Sequence, residues 1–416
     1  MDREAPTPSK HPARSLEDAP YLDIFDTAFQ ADPEPVIREL RRQSPVVRTP
    51  MGATVLTRAG VQELLRNRTA HSSLINLVRL QGMSDGPVYE MAEASLLAKE
   101  GEDHTRLRRL VSRSFTPRAA DVHRPFMRHL VDELTAGFGP AGSCEFMGQF
   151  ADHYPVQVIA HLMGVPREDH ALFAGWGNSL THLLSLELSA HRDEVQAAQR
   201  ELFAYLSDLV ALRRRRPEED LVSELIAARD GEDRLDDREL MSLLGGLLFA
   251  GYDTTRNQLG MAMTLFSARP ADWAALASDP GLAGRAVEEV MRFASVVSVV
   301  PRIVTEDVEV AGYALPAGTL VSLSLAAANR DPSVYDQPDR FDVQADRPEA
   351  PVSFGGGAHH CLGANLARAE MQEALPLLAR AMPGMRITER PEWRSPLGGI
   401  AGPLCLQLAF DPADAG

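Results

Sequence analysis

The residues with the clearest chemical potential lie in one glycine-rich loop near the carboxyl end. The run from Ser353 to Gly363 is SFGGGAHHCLG, and it places Cys361 just before an apolar run over 364–381. That run stops at Met382-Pro383-Gly384, which predicts a helix beginning directly after the cysteine. Helix N-terminal N–H groups and the helix dipole stabilise a thiolate there, and three glycines let the backbone approach a large flat group. The loop favours a thiolate bound at one axial position of haem iron.

Other interpretations of this loop stay open from the residues alone. A glycine-rich loop before a helix can bind phosphate, although no Lys-Ser/Thr follows here as it does in a P-loop. His359, His360 and Cys361 could bind zinc, but adjacent residues rarely share one tetrahedral site. Cys361 could also be a nucleophile, although a histidine one or two residues away is poorly placed as its base.

A second chemical pattern lies inside a long predicted helix. Asp236 is a good N-cap, Glu239 completes a capping box, and apolar residues recur at helical spacing as far as Leu265. The middle of this helix carries Gly245-Gly246 and the run AGYDTT over 250–255. Interior glycines cost about 1 kcal/mol each relative to alanine, so a purely structural helix gains nothing from them. A functional site and a packing notch with a satisfied polar pair are both compatible with the pattern.

The elements around these two patterns predict a mainly α (α+β) fold. Helical periodicity dominates from about Pro33 to Arg292. Short alternating segments predict strands, and they lie near both ends of the chain: 46–48, 53–57, 308–310, 320–325 and 404–408. We therefore expect one domain over 21–416 with a long central helix and small sheets. Residues 1–20, which are charged and proline-rich, are expected to form a flexible tail.

Composition excludes several classes of protein. The 416 residues carry a net charge of −16, which disfavours a chain that coats nucleic acid. Hydrophobic residues make up 44% and charged residues 24%, as in ordinary globular proteins. Three cysteines are too few for a disulfide scaffold. The sequence lacks a signal peptide and an apolar run of membrane-spanning length, so we expect a cytoplasmic protein without a membrane partner.

Five motifs, in order, resemble those of the cytochrome P450 superfamily. The loop Phe354–Gly363 matches every fixed position of the haem-binding signature FGxGxHxCxG. The run 250–255 resembles the oxygen-activation motif, and Glu289-Val290-Met291-Arg292 resembles the ExxR helix. Pro338-Asp339-Arg340-Phe341 and His104-Thr105-Arg106-Leu107-Arg108 resemble two further segments of soluble bacterial members. The resemblance covers about residues 20 to 410 and implies the fold of that family.

The resemblance implies haem b with Cys361 as its thiolate ligand. Cations must bind the two haem propionates, and His104, Arg108, Arg302 and His359 are the implied residues. Further contacts to the cofactor are implied for Phe354, Gly357, Gly363 and Ala250. One departure stands out: Gly101-Glu102-Asp103 occupies the place of two prolines that many soluble relatives have, which bears on the loop over the haem, about residues 75–103.

The resemblance also assigns proton transfer and structural roles. Asp253 and Thr254 are the implied proton relay, and Gly251 is expected to let the helix open locally. Glu289, Arg292 and Arg340 are the implied buried triad that supports the cysteine loop.

A partner and a substrate complete the expected reaction. Because the sequence has no dinucleotide fingerprint and no flavin domain, electrons are expected from a separate ferredoxin or flavodoxin. Arg106, Arg109 and Arg113 could bind its acidic surface, or could form a merely solvated basic face. An apolar small-molecule substrate is expected in a pocket lined by residues of several segments, namely Gly246, Phe249, Ser298, Val300 and Ile400.

The sequence therefore predicts a monooxygenase that uses O2 to hydroxylate or epoxidise a substrate in secondary-metabolite tailoring or xenobiotic oxidation. Phenol coupling and peroxide-driven oxidation are the alternatives among haem-thiolate reactions, and the Asp253-Thr254 pair disfavours the second. A haem-binding protein without catalytic turnover is the alternative from another class.

Overall fold

Helices form most of the architecture of this computed structural model, which describes residues 13–230, 233–395 and 399–412. The predicted mainly α fold with small sheets is confirmed. The α-helices are α1 (Thr27–Ala31), α2 (Pro33–Gln43), α3 (Arg58–Arg66), α4 (Leu74–Leu80), α5 (Gly86–Ala94), α6 (Gly101–Val111), α7 (Pro117–Val122), α8 (Arg124–Ala136), α9 (Tyr154–Leu162), α10 (His170–Leu180), α11 (Arg192–Arg215), α12 (Leu221–Ala227), α13 (Asp237–Ser267), α14 (Pro270–Ser278), α15 (Ala283–Phe293), α16 (Leu325–Ala328) and α17 (Ala364–Ala381).

Short strands make several small sheets. The strands are β1 (Arg14–Ser15), β2 (Val46–Thr49), β3 (Gly52–Val55), β4 (Ala70–Ser72), β5 (Ser143–Glu145), β6 (Arg229–Asp230), β7 (Asp233–Arg234), β8 (Val299–Val304), β9 (Val308–Val310), β10 (Tyr313–Leu315), β11 (Leu320–Ser324), β12 (Arg386–Ile387), β13 (Glu392–Trp393), β14 (Pro403–Cys405) and β15 (Gln407–Ala409). The largest sheet has the order β2-β3-β11-β8-β4. It pairs Arg302 of β8 with Ser72 of β4, which brings the start of α4 close to β8.

The central helix α13 confirms its predicted boundaries. The side chain of Asp236 accepts a hydrogen bond from the N–H of Glu239 at 2.8 Å, and the N–H of Asp236 donates to the Glu239 carboxylate at 2.9 Å. The helix spans 31 residues, which corresponds to roughly 46 Å at the usual rise. Its apolar side chains, including Leu244, Leu248 and Phe266, are fully buried in the main core. Burial of each such side chain contributes roughly 1.5–3 kcal/mol, so packing outweighs the cost of the interior glycines.

Part of the predicted N-terminal tail is wrong. Residues 1–12 lie outside the described part of the chain. Within residues 13–20, however, Arg14 and Ser15 pair with Tyr313 and Ala314 of β10 and Ala19 is buried, while Glu17 and Asp18 are exposed. Backbone pairing and the apolar Ala19 anchor a segment whose charged composition suggested a flexible chain.

The structure also describes the loop over 75–103. Two helices, α4 and α5, occupy most of it. Gly101 is the first residue of α6 and has φ of +60°, a backbone conformation that proline cannot adopt. Proline therefore does not fit at Gly101 in this conformation. None of the helices in the described ranges has both the length and the apolar composition needed to cross a bilayer.

Candidate active site

The cysteine loop is a tight turn that packs against the end of α3. Gly355 and Gly357 have φ of +69° and +64°, the left-handed region that favours glycine. A Cβ atom at Gly357 would lie 2.0 Å from the carbonyl oxygen of Leu65, so no other residue fits there. The N–H of Cys361 donates to the carbonyl of Phe354 at 2.9 Å and closes the loop. The guanidinium of Arg368, on α17, stacks over the Phe354 ring at 4.4 Å, so the loop also contacts the helix that follows it.

The thiol of Cys361 lies in front of the first turn of α17. Part of the residue is exposed, while neighbouring protein atoms surround its sulfur. This burial raises the pKa of the Cys361 thiol, while the N–H of Gly363 and the guanidinium groups of Arg108 and Arg368 act in the opposite direction. A cation placed next to the sulfur would therefore favour the thiolate, as metal binding does.

Two residues predicted to bind the cofactor reach this loop from α6. His104 is 3% exposed, and its ring centroid lies 4.3 Å from that of His359. Nη2 of Arg108 donates to the carbonyl of His360, directly before the cysteine. The structure thus brings His104, Arg108, His359 and Cys361 together, although the first two are separated from the loop by about 250 residues.

Glu100 also belongs to this group, although no sequence motif marked it. Its carboxylate accepts a hydrogen bond from the N–H of Ser72 at 2.5 Å and lies 3.1 Å from Nε2 of His359. Burial acts to raise the pKa of Glu100, but His359 and the Ser72 N–H outweigh it and lower the pKa. Glu100 is also the N-cap of α6, yet its side chain makes no capping bond because it is engaged here. Its position four residues before His104 was the available signal.

The donors in this group suit an anionic cofactor. Nε2 of His104 is buried without a hydrogen-bond partner in the described structure. The buried Arg302 forms no ion pair among the described residues and donates to the carbonyl of Pro301 at 3.2 Å. Burial, together with His359 and Arg108, lowers the pKa of His104 to about 4. Buried donors of this kind need an acceptor, and two propionates would supply it.

The buried triad behind the loop contains Arg347 and not Arg340, which corrects the predicted set. Nε and Nη2 of Arg292 donate to both oxygens of Glu289 at 2.7 and 2.8 Å. Nη2 of Arg347 donates to Oε1 of Glu289 at 2.7 Å. These donors lower the pKa of Glu289 although its burial acts to raise it.

Arg340 contributes through its backbone. Its carbonyl accepts hydrogen bonds from Nη2 of Arg292 at 2.9 Å and from Nη2 of Arg347 at 3.1 Å. Because that carbonyl faces inward, the Arg340 side chain is 61% exposed and pairs with Asp342. The motif gave the correct segment but not the arginine whose side chain reaches Glu289.

Hydrogen bonds connect the triad helix α15 to the cysteine loop. The hydroxyl of Ser353 donates to the carbonyl of Met291 at 2.7 Å. Nδ2 of Asn329 donates to that hydroxyl at 2.8 Å, and its Oδ1 accepts from the N–H of Val352. The carbonyl of Asn329 in turn accepts from Arg292 at 3.0 Å. This chain of bonds supports the predicted role of the triad in positioning the loop.

The predicted proton relay lies on α13, with its two side chains turned to different partners. Asp253 is 1% exposed, and both its oxygens accept from Nη1 of Arg394 at 2.7 Å. Nδ2 of Asn257 adds a bond to Oδ1 of Asp253 at 2.8 Å. The hydroxyl of Thr254 donates to the carbonyl of Ala250 at 2.7 Å. Arg394 is a further residue that the sequence analysis missed, and no motif marked it.

The helix around the relay differs from the expected local opening. It stays α-helical across Gly251, where a Cβ atom would lie 3.4 Å from the side chain of Ile159. The uncovered face of the helix contains Ala250 and Gly246 instead. Ala250 is exposed, and a Cβ atom at Gly246 would meet nothing within 4 Å. Gly246, Ala250 and Thr254 follow one another at intervals of four residues. They form a stripe of small side chains on α13 that the core does not cover.

The remaining predicted pocket residues come from three segments. Phe249 is 6% exposed and Ile400 is 2% exposed, whereas Ser298 and Val300 are half-buried. The N–H of Ala401 donates to the carbonyl of Val296 at 2.8 Å, which places Ile400 beside the segment that leads into β8. Residues 396–398, which precede Ile400 in the chain, lie outside the described part of the structure.

Comparison with known proteins identifies the family. The cytochrome P450 family model matches residues 282–381. Luteothin monooxygenase of Streptomyces thioluteus is 37% identical over 408 residues, which cover 97% of this chain and 99% of the relative. The chain belongs to the cytochrome P450 family. Mycinamicin IV hydroxylase/epoxidase of Micromonospora griseorubida is 40% identical to this cytochrome P450 over 301 residues, covering 72% of this chain and 75% of the relative.

Solved structures agree with this assignment. The structure of a cytochrome P450 from Chondromyces apiculatus matches with a TM-score of 0.85 and 30% identity, covering 95% of this chain and 99% of that one. This cytochrome P450 is therefore a monooxygenase of the bacterial type, and its family implies a haem-thiolate cofactor, O2, an organic substrate and an electron donor.

Proposed function

We propose that this cytochrome P450 binds haem b through Cys361 and hydroxylates or epoxidises an apolar small molecule with O2 and electrons from a ferredoxin or flavodoxin. The observation that carries the proposal is the position of the Cys361 thiol. It lies at the N-terminus of α17, beside the N–H of Gly363. His359 of the same loop contacts His104, whose buried Nε2 has no hydrogen-bond partner in the described structure. Thiolate-bound haem supplies the oxygen-activating chemistry. His104, His359 and Arg302 would bind its propionates, and Arg108 would hold the cysteine loop beside it.

The cysteines of this chain allow a matched test of the iron ligand. We expect the reduced, CO-bound spectrum of the wild-type chain to show the strongly red-shifted Soret band of thiolate ligation. Cys361→Ser should abolish that band. Cys144→Ser and Cys405→Ser should keep it, because Cys144 is buried in the core and Cys405 lies in β14. A red-shifted band in Cys361→Ser, or its loss only in a control, would overturn the proposal.

We infer that Thr254 and Asp253 would hold and pass on the protons that oxygen activation by a bound haem consumes. The Thr254 hydroxyl lies on the uncovered stripe of α13, where it can accept and pass on a proton. Asp253 lies one residue before it and is held by Arg394, which is 15% exposed and thus reaches towards solvent. Asp253→Asn should lower turnover by roughly 10²-fold or more while leaving substrate affinity unchanged. Equal turnover of Asp253→Asn and wild type would exclude this role.

The substrate pocket is proposed on the open stripe of α13 and the segments beside it. The apolar side chains of Phe249, Val300 and Ile400 support an apolar ligand. A panel of neutral aliphatic and aromatic compounds, each with its carboxylated analogue, can be screened for the low-to-high-spin shift. Neutral compounds should bind at least tenfold more tightly than their carboxylated analogues. Gly246→Leu should weaken the binding of the largest compounds. Preferential binding of the carboxylated analogues would contradict an apolar pocket.

An acidic electron donor is proposed to bind beside α6. The hydrogen bond from Arg108 to His360 places α6 against the cysteine loop, and Arg109 and Arg113 are exposed there. Arg106 was expected on this surface as well, but it is half-buried. It pairs with Asp233 at 3.1 Å and with Glu239 near the start of α13, so it is left out of the test. Arg109→Glu/Arg113→Glu should slow reduction by an acidic ferredoxin at least tenfold at low salt, and less at high salt. Arg42→Glu, on an exposed position of α2, is a suitable control. Unchanged reduction rates would reject this surface.

A further inference from the structure

A cluster of metal-binding side chains lies outside the active site, between α10 and α11. His182 belongs to the turn Thr181–Leu184, His191 ends the turn Leu188–His191, and Glu194 lies in the first turn of α11. Each offers one ligand atom, and these three atoms lie within 4.8 Å of one another. The rings of His182 and His191 stack with centroids 3.5 Å apart and an interplanar angle of 5°. Nδ1 of His191 lies 3.2 Å from Oε2 of Glu194.

We propose that His182, His191 and Glu194 bind a divalent transition-metal ion that fastens the 182–194 segment at both ends. Two imidazole nitrogens and one carboxylate oxygen suit zinc, which binds such sets with a fourth position open to water. Imidazole ligands also suit nickel and copper, whereas magnesium and calcium prefer all-oxygen sites. The three ligands come from separate turns of the chain, so a bound metal ion would close a loop of about a dozen residues.

The geometry needs only a small side-chain movement. Zinc bonds of about 2.0–2.1 Å place tetrahedral ligands roughly 3.3 Å apart, so the three atoms must converge by about an ångström. The two ring planes must also tilt out of their parallel stack, since nitrogen lone pairs lie in the ring planes. His182 and His191 are half-buried and Glu194 is exposed, so nothing in the core opposes this movement.

Neighbouring groups support a cation at this place. The hydroxyl of Ser179 hydrogen-bonds Glu194 and orients its carboxylate, as outer partners of metal ligands do. Glu187 adds a second carboxylate near His182, and Arg394 is the cation that faces it. Two carboxylates against one guanidinium leave a local surplus of negative charge, which favours a divalent cation.

The fastened segment contacts regions that surround the proposed pocket. Nε2 of Gln81, just after α4, donates to the carbonyl of Ser185 at 3.1 Å. A Cβ at Gly399 would lie 2.4 Å from the carbonyl of Leu184, so the carboxyl-terminal loop also packs closely here. Thr181, beside His182, accepts from Nη2 of Arg394 at 3.2 Å, and the same arginine holds Asp253. A metal ion at this cluster would therefore slow opening of the segment where α4, α11 and the carboxyl-terminal loop meet.

Titration of the tag-free, haem-loaded chain with Zn²⁺ tests the site. Calorimetry should detect a zinc equivalent whose affinity falls at least tenfold in His182→Ala, in His191→Ala and in Glu194→Gln. His129→Ala removes an exposed histidine on α8 and should leave that affinity unchanged. The reduced, CO-bound spectrum of every variant reports folding and haem binding, so failure of the proposed monooxygenase function is recognised separately.

Hydrogen exchange tests the mechanical consequence. Zn²⁺ should slow amide exchange over 181–191 at least threefold in the wild-type chain and leave it unchanged in His182→Ala/His191→Ala. Equal zinc affinity in the wild type and this double variant would overturn the site and leave the ring pair as a simple stack. Zinc binding without slower exchange would overturn the fastening role.

Discussion

Nη1 of Arg394 lies 2.7 Å from both carboxylate oxygens of Asp253, although 141 residues separate the two in the chain. Asp253 is almost fully buried in the middle of α13, so Arg394 and Asn257 supply the charge and the donor that its burial requires. The carboxyl-terminal part of the chain is thereby fastened to the helix that carries the proposed proton relay.

Removal of this arginine should strand the carboxylate. We expect Arg394→Ala to lower the free energy of unfolding by about 3–5 kcal/mol, because a buried charge loses its partner. Denaturant unfolding of the haem-loaded protein measures the loss. The double variant Asp253→Asn/Arg394→Ala should recover part of it, and Arg390→Ala, an exposed neighbour, should stay within about 0.5 kcal/mol of wild type. If the double variant loses as much unfolding free energy as the two single variants together, Asp253 and Arg394 are not energetically coupled.

The corrected triad gives a comparison between two nearby arginines. Arg347→Ala should lower stability by about 1–3 kcal/mol and reduce the haem content of purified protein, because it removes one charged donor to buried Glu289 while Arg292 remains. Arg340→Ala should change stability by no more than about 0.5 kcal/mol, since its backbone carbonyl makes the structural bonds. Haem-to-protein ratios and unfolding curves of the two variants decide the matter. A larger effect at Arg340 would refute the triad described here.

The turn before the cysteine should tolerate no side chain at Gly357. Gly357→Ala combines a φ of +64° with a contact of 2.0 Å to the Leu65 carbonyl, so the loop must shift. Strain of this backbone type alone costs about 1–3 kcal/mol. We expect lower haem retention and a weaker red-shifted CO band than in Gly284→Ala, where a Cβ in α15 meets nothing within 4 Å. Equal spectra for the two variants would show that the loop adapts.

A buried acid on α17 predicts a pH dependence of stability. Glu370 is 2% exposed, its Oε2 has no hydrogen-bond partner in the described structure, and burial raises its pKa well above the ordinary value. A carboxyl group with a raised folded-state pKa favours the folded state below its unfolded pKa and loses that contribution as the pH rises.

Glu370→Gln should therefore be more stable than wild type at pH 8, by on the order of 1–3 kcal/mol, and about equal to it near pH 4. Thermal unfolding between these pH values, with the exposed Glu389→Gln as control, measures the difference. A constant difference across the range would mean that Glu370 does not titrate as burial requires.

The sequence by itself determined the elements whose local signals are strong. The capping box and apolar periodicity defined α13, the stop at Met382-Pro383-Gly384 defined α17, and the spacing of the loop motif identified Cys361. These features depend on residues close in the chain, where helix caps, glycine conformations and side-chain periodicity act. The same local logic placed His104 and Arg108 on one helix.

Only the tertiary structure decided which distant side chains meet. Arg347 rather than Arg340 reaches Glu289, because the direction of a side chain in an irregular segment depends on where its carbonyl is bound. Glu100 and Arg394 occupy the site without any motif, and Arg14 and Ser15 of the expected tail pair with strand β10. Such contacts depend on the packing of separate elements, and spacing along the chain carries no record of that packing.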